Sequence, residues 1–201
     1  MNQRKQLMKN TIIIAIGKLS TQIISYVLLP LYTSKLSPSE YGTYDFICTL
    51  SLFLCPIITL LMEESMFRYL IDAKNKIERK QIISQTIIYT FIGTLGFIIT
   101  AIFIMAFCTD YSPKYIAAII LFVISNILIG LSNALSRGLG KIKLYSISNF
   151  ILGISTIILN IVFILCIHAG AEGLLWANTI ANVFTAIVIL AKLYIDVKRK
   201  I

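Results

Sequence analysis

The chain has 201 residues, of which 58% are hydrophobic and 13% charged, and its mean hydropathy is +0.87. Soluble domains are about 45–50% apolar and about 25% charged, so composition argues against a water-soluble enzyme and for a polytopic membrane protein. The 18 Lys and Arg against 9 Asp and Glu give a net charge of +9, which in a soluble protein would suggest nucleic acid; here the placement of the charges accounts for them, and no nucleic acid is expected.

Six apolar runs follow one another along the chain, at about 11–32, 41–61, 82–107, 115–135, 145–167 and 173–195. Each is near the ~20 residues that a membrane-spanning helix needs. The first follows Arg4, Lys5 and Lys9; its core is too long for a signal peptide and no small-x-small cleavage site follows, so it reads as a signal-anchor helix. Before the second run, Ser37, Pro38 and Glu40 predict a helix start: a cap, a proline at N1 and an acid at N3. A polar stretch of mixed charge, Glu63 to Gln81, separates the second run from the third. Thr109-Asp110-Tyr111-Ser112-Pro113 has turn composition, Ser136-Arg137-Gly138 ends the fourth run, and His168 to Glu172 links the fifth to the sixth. Most runs lack the charged face of a soluble amphipathic helix, and none alternates as a barrel strand does. The expectation is an all-α fold, with residues 1–201 forming one lobe of six transmembrane helices.

Lys and Arg stay on the cytoplasmic side of a membrane protein. The N-terminal segment carries Arg4, Lys5 and Lys9. Later segments on the same side carry Arg68, Lys74, Lys76, Arg79 and Lys80, then Arg137, Lys141 and Lys143, then Lys198, Arg199 and Lys200. The opposite side carries only Lys35 and Lys114. Both termini are therefore expected in the cytoplasm. Trp176 and several tyrosines, among them Tyr32, Tyr44 and Tyr145, fall at helix ends as an aromatic belt would.

A lysine inside a first helix costs about 2.5–3.5 kcal/mol to insert. Lys18 lies roughly 10 Å in from the start of its run at 1.5 Å per residue, and two readings stay open. Its stem snorkels to the cytoplasmic headgroups, or its ammonium faces a water-filled cavity and binds an anionic substrate, with Gln22 and Ser25 continuing its face. Glu64 and Arg68, spaced i,i+4, are expected to pair at the surface, and Asp45 to lie at the outer interface. Asn126, Gly130, Asn133 and Arg137 share one face of the fourth helix. Asn149, Gly153, Thr156 and Asn160 share one of the fifth, and Asn178, Asn182 and Thr185 one of the sixth. Thr86, Thr90, Gly93 and Thr100 lie on one side of the third. Helix packing through small and amide residues is the reading for Gly93, Gly130 and Gly153. For the asparagines, packing and the lining of a hydrophilic cavity both remain, because an amide facing lipid would be unsatisfied.

The single histidine, His168, lies at a helix end, and Cys48, Cys55, Cys108 and Cys166 form no C-x-x-C pair, so they read as small apolar residues. No nucleotide-binding, hydrolase or zinc-protease motif occurs. No metal site, cofactor or enzymatic activity is expected.

The run Leu29-Pro30-Leu31-Tyr32-Thr33-Ser34-Lys35-Leu36-Ser37-Pro38-Ser39-Glu40-Tyr41-Gly42, with Lys9-Asn10 and Gly17-Lys18 before it, resembles the opening of Wzx-type polysaccharide flippases. Arg68-Tyr69, Ala134-Leu135-Ser136-Arg137 with Lys141 and Tyr145, and Ala171-Glu172-Gly173-Leu174-Leu175-Trp176-Ala177-Asn178 are similar to later connections of the same family. The resemblance implies the multidrug/oligosaccharidyl-lipid/polysaccharide flippase (MATE-like) fold, in which two six-helix lobes rock around a central cavity. It also implies transport of undecaprenyl-diphosphate-linked O-antigen or capsule repeat units in a bacterial inner membrane, with lipid-linked oligosaccharide and membrane lipid as partners. An anionic diphosphate bearing sugars needs a cationic, polar path. Lys18, Gln22, Asn126, Asn133, Arg137, Asn149, Asn160, Asn178 and Asn182 are the residues expected to line it.

Members have about twice as many helices, so the chain is expected to be the N-terminal half, a truncated product, or a lobe completed by a second lobe or a second copy. The alternatives are a drug or cation antiporter lobe of the same superfamily and a non-transporting scaffold for polysaccharide synthesis. A membrane transferase is more remote, because it would want a loop acid cluster.

Overall fold

The fold is that of a computed structural model, which describes residues 8, 11, 12, 26, 28–108 and 113–198 and, for 105–108 and 197–198, the backbone alone. Among the described residues every regular element is helical. Residues 28–35 form α1 and are followed by α2 (Pro38–Thr59), α3 (Met62–Asp72), α4 (Lys76–Cys108), α5 (Pro113–Gly138), α6 (Ile142–Ile161) and α7 (Gly170–Lys198). A π turn, Val162–Cys166, prolongs α6. Five of these stretches are long and apolar enough to cross a membrane: Pro38–Thr59, Lys76–Ile104, Pro113–Gly138, Ile142–Cys166 and Gly170–Asp196. They coincide with the second to sixth apolar runs, so the chain is a multi-pass membrane protein. Most of the first run, with Arg4, Lys5, Lys9, Lys18, Gln22 and Ser25, lies outside the described residues, as do the turn residues 109–112 and Arg199 and Lys200.

Local chemistry sets the helix boundaries. Ser37 caps α2 as its sequence predicts: its Oγ accepts the Glu40 N–H at 3.2 Å, and a Glu40 carboxylate oxygen accepts the Ser37 N–H at 2.9 Å. Asn75 and Glu78 repeat the device at α4, with the Asn75 carbonyl oxygen accepting the Glu78 N–H and Glu78 accepting the Lys74 N–H. Gly140 takes the left-handed turn between α5 and α6 at φ 73°, where a residue without Cβ is unstrained.

The polar stretch after the second run is not a loop but mostly α3. α2 stops at Leu60 and Leu61, both left-handed at φ 49° and 56°, and the chain resumes as α3 one residue later. Met66 and Leu70, one turn apart, are buried with Ala134 of α5, so α3 is an amphipathic helix that packs its apolar stripe on the C-terminal end of α5.

α5 and α7 form the centre of the bundle. Ala118 clusters with Leu175, and Ile129 with Ala186 and Ile189; Ala118, Leu175, Ala186 and Ile189 are fully buried. Small residues let the two backbones approach, which in lipid stands in for a hydrophobic driving force. α2, α3 and α6 pack around this pair. α4 lies outside it, attached through Thr86, Thr90 and Gly93. A Cβ on Gly93 would fall on the carbonyl of Ile58, which is the close packing expected there. Gly130 is different: a Cβ would meet nothing within 4 Å, so its smallness serves no contact among the described residues. Thr100, on the same side of α4 in sequence, is exposed.

Candidate functional site

The amide faces of α5, α6 and α7 turn toward one another. Asn182 Nδ2 donates to the Asn126 carbonyl oxygen at 3.0 Å and to Ser125 Oγ at 3.1 Å, joining α7 to α5. Asn149 Nδ2 donates to the Asn133 carbonyl oxygen at 3.5 Å and to the Tyr145 carbonyl at 2.8 Å, joining α6 to α5. Asn178 donates to the Tyr44 hydroxyl and the fully buried Asn160 to the Tyr32 hydroxyl, each at 3.0 Å. All six asparagines thus bond across helices, as packing requires, and three of them also line cavities. Tyr32 and Tyr44 were expected in an aromatic belt. Instead their hydroxyls point into the bundle, because each meets an amide that would otherwise be unsatisfied.

Two cavities flank the Asn126–Asn182 bond. One, of about 310 Å³, is lined by Tyr32, Tyr41, Tyr44, Asp45, Asn178 and Asn182. The other, of about 400 Å³, is lined by Cys48, Ser51, Cys55, Glu63 and Asn126. Cys48 borders both. The first sits beside the N-terminal half of α2 and the second beside its C-terminal half. Each holds a carboxylate, Asp45 or Glu63. Glu63 Oε2 is buried without a hydrogen-bond partner among the described residues, so it has unused capacity for a proton, a cation or water.

Arg137 lies in the last turn of α5. Its guanidinium pairs with Glu64 at 3.2 Å and stacks over the rings of Phe67 and Tyr145, 4.6 and 5.5 Å from their centroids. Glu64 therefore pairs across helices and not with Arg68, one turn away. A planar cation held between two rings gains more than an exposed i,i+4 pair does. Arg137 Nε has no hydrogen-bond partner among the described residues. Lys141 pairs with Asp196 at 2.6 Å, tying the turn after α5 to the C-terminal part of α7. Lys18 and Gln22 lie outside the described residues.

The chain matches the family of polysaccharide biosynthesis proteins over residues 7–200. It belongs to that family. No curated protein and no solved structure matches it. In this polysaccharide biosynthesis protein the polar residues of three separate helices converge on the bundle interior, where their i,i+4 spacing had placed them on single faces. Sequence reasoning missed their partners: Tyr32, Tyr44, Ser125 and Glu64. The spacing within one helix carries no signal for them, because the separations are 128, 134, 57 and 73 residues.

Proposed function

We propose that the chain is one six-helix lobe of a flippase that moves undecaprenyl-diphosphate-linked oligosaccharide repeat units from the inner to the outer leaflet of a bacterial inner membrane. The exported sugar supplies O-antigen, capsule or exopolysaccharide, and no covalent bond is made or broken on the way. The observation that carries this reading is the line of cross-helix amides through a polysaccharide biosynthesis protein, ending in the ring-stacked Arg137. Amides and phenols offer sugar hydroxyls the hydrogen bonds they lose on leaving water, and Arg137 and Lys18 offer the diphosphate its counter-charge. Cavities of about 310 and 400 Å³ stand at the low end of the ~300–1,000 Å³ that drug-sized ligands need, and several sugar rings with a diphosphate exceed either one. The transported headgroup therefore needs a further wall, supplied in this reading by a second six-helix lobe or a second copy.

The test separates Arg137 as a ligand from Arg137 as a strut. Surface polysaccharide and membrane-inserted protein are measured in cells whose export depends on this chain, with R137A, K18A and E64Q. Export is expected to fall at least tenfold in R137A and K18A at unchanged protein level and to persist in E64Q, which keeps the guanidinium. Equal losses in R137A and E64Q make the ion pair structural. Full export in R137A and K18A selects the scaffold reading.

One observation favours a second reading, a cation antiporter lobe: the orphaned Oε2 of Glu63 in its cavity. Loss of cation-driven efflux in E63Q, with polysaccharide export intact, would select it.

A further inference from the structure

Another cavity, of about 620 Å³, takes no part in the amide line. It opens between the cytoplasmic ends of α4 and α7. Lys76, Arg79 and Lys80 form its rim, Lys141 and Asp196 one wall, and Ile83, Ile87 and Leu193 its apolar floor.

We propose that this cavity is a binding site for a resident anionic glycerophospholipid of the cytoplasmic leaflet, with the phosphate on the cationic rim and an acyl chain on the isoleucine floor.

Three observations carry the assignment. The rim charge is not neutralised within the described residues: the wall's own acid is engaged by Lys141, and neither of the two ion pairs among those residues involves Lys76, Arg79 or Lys80. Arg79 spends one N–H on the Ala73 carbonyl at a long 3.4 Å, which leaves its other donors available. Glu78, the nearest acid in sequence, caps α4 through the Lys74 N–H and is absent from the lining.

The floor runs out onto the bilayer-facing side of α4, where Ile87 and Ile88 are 56% and 53% exposed. A free anion would use the rim and leave the floor empty; only an amphiphile uses both. The rim also stands at the level where the cytoplasmic leaflet presents its negative headgroups, which attract polybasic segments by about 1 kcal/mol per cation.

The full-length protein is purified in mild detergent, stripped of lipid, and titrated with phosphatidylglycerol or phosphatidylcholine, with bound lipid counted by native mass spectrometry. One tight phosphatidylglycerol and no tight phosphatidylcholine are expected. The triple variant K76Q/R79Q/K80Q is expected to weaken phosphatidylglycerol about 100-fold, three cations at about 1 kcal/mol each. A matched triple, R68Q/K74Q/K143Q, removes the same charge from the same side outside the cavity and should leave the tight site intact. I87W fills the floor without touching charge and should also displace the lipid, which keeps the proposal decidable if the rim triple does not fold. Equal binding of the two lipids, equal losses in both triples, full competition by inorganic phosphate, or unchanged binding in I87W each overturns it. The outcome is independent of whether the chain flips a saccharide.

Discussion

α4 and α5 are both long and strongly apolar, yet 44% of the α5 span is buried inside the protein against 6% of the α4 span. Hydropathy does not distinguish them. What differs is the spacing of small and amide residues. α5 places Ala118, Ser125, Ser132, Ala134 and Ser136 toward its neighbours, all nearly inaccessible, whereas α4 buries Thr86 and Thr90, half-buries Ile82, Ile83 and Phe97, and leaves Ile87, Ile88, Phe91, Ile92, Ile99, Ile102, Phe103 and Ile104 to the bilayer. In lipid an apolar side chain gains little by moving from the bilayer into the protein, so burial follows the close approach of backbones and the satisfaction of polar groups. Apolar content decides that a helix spans the membrane; small and polar residues decide where in the bundle it stands.

The largest expected effect breaks that contrast directly. Ala186 is fully buried in the α5–α7 seam, and Ile99 on α4 is 68% exposed. A186F forces an aromatic ring into a closed interface, and overpacking of this kind costs about 1–3 kcal/mol or more. I99F exchanges one lipid-facing apolar side chain for another and should change stability by less than about 0.5 kcal/mol. Thermal unfolding in detergent measures both. Equal shifts would mean that α4 is held by contacts its exposure does not reveal.

Some of this architecture can be read from the chain alone. Ser37-Pro38-Ser39-Glu40 states a helix start in local chemistry, and the capping box forms as written. The asparagine faces follow from spacing, since residues three, four and seven apart must share a side of a helix. What each face meets is non-local: nothing near Asn182 names Ser125, and nothing near Arg137 names Glu64. The helix α3 was legible but overlooked. Its charges, Glu63, Glu64, Arg68 and Asp72, mark only a polar stretch, while Met66 and Leu70 already set an apolar stripe. The break before it was not legible, because left-handed turns are signalled by glycine or asparagine and two leucines occupy this one.

A smaller effect is expected at the amide pair that ties α7 to α5. N182L and N126L each remove one partner, and the double variant closes the cycle. Interhelical hydrogen bonds in membrane proteins couple by about 0.6 kcal/mol, reaching about 1.7. Asn182 also bonds Ser125, so N182L should cost more than N126L. A coupling near zero would make the 3.0 Å contact incidental and leave shape alone holding the seam.

The smallest effect tests how α2 reaches α3 and so how α3 comes to lie under the central pair. Leu61 is left-handed and 52% exposed; that conformation costs an L-residue roughly 1–2 kcal/mol, whereas glycine adopts it freely. L61G gives up some contact area and some unfolded-state restriction but sheds the strain, so its stability should stay level or rise by up to about 1 kcal/mol. Ile57, within α2 and 67% exposed, supplies the comparison, since I57G places glycine in a regular helix and should cost about 1 kcal/mol. The gap of about 1–2 kcal/mol between the two variants isolates the backbone strain, because both remove similar exposed side chains. Equal losses in both would mean that Leu61 is held by its contacts and that the turn follows from the packing of Met66 and Leu70 on α5.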